Sequence, residues 1–167
     1  MASTHHTGMP RRTAALLATF ALGSVGVPAA HADDTGRSLS GATAIARAKV
    51  WVANHVTYSQ TSTYQGYRKD CSGYVSMSWG LTKPGYTTYT LAQIGSYVTK
   101  AQLKPGDAML NSSFHVLLFE KWADSAHTSY WAYEESSSHN GAIHRVVPYP
   151  YWSGYGTFKP FHYRGLG

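Results

Sequence analysis

The chain has one cysteine, Cys71, within Asp70-Cys71-Ser72-Gly73, where a polar stretch gives way to Tyr74-Val75-Ser76-Met77-Ser78-Trp79. Asp70 is a good helix N-cap, which puts Cys71 at the first helical position. The positive end of a helix dipole favours a thiolate there, and the first-turn amides beside the sulfur are suited to holding an oxyanion. Gly73 allows another segment to pack closely, and Ser72, next to the sulfur, is a candidate substrate contact. A lone cysteine otherwise serves as a small buried hydrophobe. An exported protein stabilised by a disulfide would carry two.

A thiolate nucleophile needs a base that takes up and returns the proton. His115 opens the apolar run His115-Val116-Leu117-Leu118-Phe119, a rigid support for an imidazole. His55, His127, His139, His144 and His162 adjoin no comparable element. The alternative for His115 is a hydrogen-bonded histidine at a sheet edge.

These groups need helices and a sheet to hold them. Apolar residues at helical spacing predict a helix over residues 38–55, and a second helix is expected over 70–79, ended by Gly80. Residues 57–69 read as a polar loop, 90–97 as a short helix and Lys104-Pro105-Gly106-Asp107 as a tight turn. Beyond that turn the period changes. Residues 108–110, 115–122, 129–135, 142–147 and 157–164 are rich in Val, Tyr, Trp and Phe and read as strands, with 149–155 connecting the last two. Helices followed by an antiparallel sheet make an α+β domain. On a strand, neighbouring side chains alternate faces, so only one of Glu134 and Glu135 can turn toward His115.

The N-terminal segment has the plan of a secretory signal peptide. Arg11 and Arg12 precede the apolar run 14–27, and Ala30-His31-Ala32 supplies a cleavage site. The run is short for a bilayer span, which takes about 20 apolar residues. Ala14 and Ala15 stand where a twin-arginine signal prefers a bulky residue, which favours the general export route. Residues 1–32 are thus expected to be removed, leaving 33–167 as one domain, secreted or wall-associated. Without Arg11 and Arg12 the chain keeps 12 Lys and Arg against 8 acids, about +4. This excess suits electrostatic contact with an anionic cell envelope, or simply a solubilising surface. No Lys/Arg stripe points to nucleic acid.

Tyr58, Asp70-Cys71-Ser72-Gly73-Tyr74, Leu103-Lys104-Pro105-Gly106-Asp107-Ala108 and His115-Val116, in this order and with 44 residues from Cys71 to His115, resemble the NlpC family of bacterial cell-wall cysteine peptidases. The resemblance spans residues 44–147. It implies a papain-like fold, N-terminal helices packed on a C-terminal antiparallel sheet, and a thiol peptidase that hydrolyses amide bonds of peptidoglycan stem peptides without metal or cofactor. It makes Cys71 the nucleophile, His115 the base and Tyr58 a wall of the substrate pocket. The family's third catalytic residue is usually His. Here Glu134 falls nearest that position, and a one-residue slip would substitute Glu135. The family's Trp-Gly-Gly stretch before the cysteine is replaced by residues 59–68.

Other classes fit parts of the sequence. A related cysteine amidase or acyltransferase, acting on another amide or an ester, would carry the same residues. His127, His139 and His144 would suit a zinc protein, although without a Cys pair. The many Tyr and Trp residues would also suit a non-catalytic wall-binding module, or ordinary sheet packing.

Overall fold

The computed structural model describes residues 39–137 and 140–167. The segment 1–32 expected to be a signal peptide, the start of the expected first helix at Ser38, and His139 lie outside the described residues.

Helix α1 spans Gly41–Ala53. The Ser40 hydroxyl caps it by accepting from the Thr43 amide at 3.1 Å, and Ala44, Ile45, Ala48 and Trp51 form its buried stripe. Residues 57–69 are a hairpin rather than the expected loop: β1, Ser59–Tyr64, pairs antiparallel with β2, Tyr67–Lys69. Gln65 and Gly66 both have positive φ, +53° and +84°, as two-residue hairpin turns require. The outer face of β1 is Ser and Thr, so no apolar alternation marks the strand. Tyr64 anchors it by packing edge-on against Trp51 at 5.5 Å.

Helix α2, Cys71–Ser78, is buried along its whole length. A helix closed in on all sides must satisfy its polar side chains internally. Ser76 and Ser78 do so by donating to the carbonyls of Ser72 and Tyr74, at 2.7 and 2.9 Å. Gly80, at φ +67°, ends the helix region as a left-handed glycine.

The expected helix over 90–97 divides in two. Helix α3 is a single turn, Thr88–Leu91, with a Thr87/Thr90 capping box, and Gly95–Tyr97 forms strand β3 against β8. At Gly95 a Cβ would meet the His162 carbonyl oxygen at 2.1 Å, so close strand approach requires glycine there. The remaining strands are β4 (Ala108–Asn111), β5 (His115–Trp122), β6 (Ser129–Glu135), β7 (Ala142–Pro148) and β8 (Lys159–Tyr163). They complete a six-stranded antiparallel sheet in the order β3-β8-β4-β5-β6-β7. The chain is therefore α+β.

Each sheet face has its own core. Ala108, Leu110, Val116, Leu118, Tyr133 and Phe161 pack against α1 and α2. The alternate residues Met109, Leu117, Phe119, Tyr130, Ala132 and Val147 form a second cluster, covered by Tyr149, Tyr151 and Trp152 of the β7–β8 connection. Trp79 ties α2 to the start of β4 by donating to the Gly106 carbonyl at 2.8 Å. The turn before β4 is closed by Asp107, which accepts from the Lys104 amide at 2.8 Å.

Candidate active site

Cys71 stands at the first position of α2. Asp70 caps the helix through Oδ1, which accepts from the Gly73 amide at 2.6 Å and from the Ser72 hydroxyl at 3.0 Å. Arg68 fixes Asp70 in turn. Its Nε donates to Oδ2 at 2.9 Å while its terminal nitrogens donate to the carbonyls of Gly85 and Tyr86 at 2.9 and 2.7 Å. A Cβ on Gly73 would meet the Arg68 carbonyl oxygen at 2.1 Å, so the helix start sits directly on β2. The clamp leaves the Cys71 and Ser72 amides as first-turn donors with no helical partner, beside the sulfur.

His115 is the first residue of β5 and is buried. Its Nε2 lies 2.9 Å from Glu134 Oε2. Burial disfavours the imidazolium, but the hydrogen bonds and charges of Cys71 and Glu134 outweigh it and hold the imidazole up at about 9. The Glu134 carboxyl is lowered. Burial opposes its charge, and His115 and Arg145 overcome that opposition. Glu134 also accepts from Arg145 Nε on Oε1 and from the Tyr151 hydroxyl at 3.3 Å.

Sheet register explains which glutamate meets the histidine. Leu118 pairs with Tyr133. One step on, Glu134 comes level with Leu117 and shares a face with His115, within the diagonal reach of a long side chain. Glu135 turns to the opposite face, toward the helices. It is fully buried, and neither carboxylate oxygen has a hydrogen-bond partner among the described residues. Burial pushes its carboxyl up to about 8, with Lys69 opposing and Asp70 reinforcing the shift.

Tyr58 stands just before β1. Its hydroxyl accepts from Gln60 Nε2 at 3.1 Å. Partial burial raises its pKa, against that hydrogen bond and with help from the charges of Cys71, Asp70 and Glu135. The fold thus brings His115 and Glu134 together, with Cys71 at the start of α2 influencing the charge of both His115 and Tyr58. The Ser72 hydroxyl points elsewhere: it is buried and engaged by Asp70 and Arg68, so it braces the helix start.

Sequence reasoning missed Arg68, Arg145 and Tyr151. Arg145 carried a signal, a charge inside the apolar strand Ala142–Pro148. Tyr151 carried none, because only folding of the β7–β8 connection brings it to Glu134. The histidines considered for zinc are engaged separately. His127 stacks on Trp122 at 4.4 Å, and His144 bonds Glu120 at 2.9 Å. Among the described residues no three His, Cys, Asp or Glu side chains gather as metal ligands. No helix among them is long and apolar enough to cross a membrane.

The chain matches no protein-family model and no curated protein sequence.

Proposed function

We propose that the chain is a secreted cysteine hydrolase of papain-like architecture that cleaves amide bonds in peptidoglycan stem peptides. The observation that carries this reading is the placement of Cys71 at a helix start beside an imidazole whose Nε2 is held by Glu134. The substrate class comes from the NlpC-like motifs.

In this mechanism the Cys71 thiolate attacks the amide carbon while His115 is protonated. Charge develops on the carbonyl oxygen, toward the free amides of the first turn. The imidazolium gives its proton to the leaving nitrogen, the C–N bond breaks, and an acyl-thioester remains. His115 then takes a proton from water as the resulting hydroxide attacks the thioester, the C–S bond breaks to release the acid, and the thiolate–imidazolium pair is restored. Glu134 touches neither substrate nor sulfur. It positions the ring and stabilises its cationic form.

The test is digestion of purified peptidoglycan with products read by mass spectrometry. The wild type is expected to release fragments cut within the stem peptide, and a folded Cys71→Ala protein none. Wild-type turnover by Cys71→Ala would sink the assignment. Intact stem peptides alongside cleavage of other amides or esters would transfer the reading to a related amidase or acyltransferase.

A further inference from the structure

Next to the His115–Glu134 pair, but lined by neither residue, is a cavity of about 390 Å³. Ser136, Ser137, Asn140, Tyr151, Trp152 and Arg145 line it, and Tyr155 completes the wall. Arg145 is the one charged residue in that lining among the described residues. Its guanidinium lies over the Trp152 ring, 4.3 Å from the centroid, which fixes its plane. Nε is spent on Glu134, the guanidinium also interacts with the Tyr151 hydroxyl, and about a third of the side chain is exposed. A guanidinium with two N–H groups committed keeps three, enough for the fork that matches a carboxylate. Asn140 and the two serines add polar hydrogens, and the Tyr and Trp rings offer apolar contact.

The cavity is joined to the candidate site by exposed aromatic surface. Phe114 is 6.2 Å from His115 and 6.1 Å from Tyr155, and both rings are more than half exposed. Tyr155 belongs to the cavity wall, so the two rings link the neighbourhood of His115 to the cavity.

We propose that this cavity is a subsite for a carboxylate group of the substrate, held by the terminal nitrogens of Arg145 against Trp152. The assignment to substrate rests on the hydrolase reading above. Because Arg145 also holds Glu134, an occupied subsite bears directly on the group that orients His115.

Two measurements test it separately. In the first, the full chain is titrated with benzoate and with its neutral isostere benzamide, followed by tryptophan fluorescence and by indole NMR signals. Benzoate is expected to bind at least about tenfold more tightly, the worth of one charge-assisted hydrogen-bond pair. Arg145→Gln should remove that preference. Asn140→Asp, which adds a negative charge to the cavity without touching Glu134, should weaken benzoate about tenfold while the near-UV spectrum stays native. Equal binding of the two probes, or benzoate binding indifferent to both substitutions, overturns the proposal. In the second, paired stem peptides bearing a free carboxylate or a carboxamide beyond the scissile bond are compared. A preference in kcat/KM for the free acid that Asn140→Asp erases supports the subsite, and equal rates overturn it. Benzoate binding as described, with no peptide amide cleaved, would leave a carboxylate site standing and refute the hydrolase reading instead.

Discussion

Glu134 and Glu135 are adjacent in sequence and both fully buried, yet the two faces of β6 treat them oppositely. Glu134 enters the aromatic cluster under the β7–β8 connection and meets His115, Arg145 and Tyr151, so its charge is held. Glu135 enters the face packed on α1 and α2 and meets no donor among the described residues, so its proton is held. Burial is common to both and therefore decides neither. Partners decide, because a buried charge is tolerable only when paired and hydrogen-bonded. A carboxylate that orients a catalytic imidazole has to be of the first kind.

The largest expected effect follows from that contrast. Glu134→Gln should lower kcat by about 10²–10⁴-fold, as in other triads whose orienting acid is replaced, while Glu135→Gln should leave kcat within a few-fold of wild type. Steady-state rates at matched folding decide this. A crippled Glu135→Gln with an active Glu134→Gln would reverse the comparison.

The second effect is on stability. Glu135 titrates at about 8 in the folded chain, above its unfolded value of 4.5, so the native state binds the extra proton between those pH values. Stability therefore falls as pH rises from about 4.5 to 8 and is level above that. Glu135→Gln should remove this slope and be more stable than wild type by about 1–3 kcal/mol at pH 8, measured by urea unfolding. Parallel pH profiles for the two proteins would mean that Glu135 has a partner in solution.

His115 runs the other way in charge. Its folded pKa of about 9 lies above the ordinary 6.5, so the stabilisation from its cationic form is full below 6.5 and is lost as pH rises through about 9. The alkaline limb of the rate profile should fall in that same range as the imidazolium loses its proton. Glu134→Gln should move that limb to lower pH, and an unmoved limb would separate Glu134 from the imidazole. The smallest effect belongs to Tyr151→Phe, which removes the 3.3 Å hydrogen bond to Glu134 and should lower stability by about 0.5–1.5 kcal/mol in the same unfolding assay.

Much of this arrangement is legible before folding. Cys71 at a helix start follows from Asp70 and the helical run after it, and the strand opened by His115 follows from five apolar or aromatic residues in succession. Both signals are local. The hairpin Ser59–Lys69 and strand β3 escaped because their pairing is not written in apolar alternation: β1 is nearly all Ser and Thr, and Gly95–Tyr97 becomes a strand only by lying against β8. Propensity is a weak guide where the partner strand supplies the stabilisation.

What the sequence by itself determined is therefore the helix that Cys71 starts, the strand that His115 opens, and the rule that one glutamate of the Glu134–Glu135 pair must turn toward each face. The tertiary structure alone decided which glutamate meets His115, because register depends on where β5 and β6 pair, and a slip of one residue would exchange them. It alone brought Arg145 and Tyr151 to Glu134, from a neighbouring strand and a connection. The choice between a held charge and a held proton rests on those distant groups, and local sequence cannot encode a hydrogen bond that only folding brings within reach.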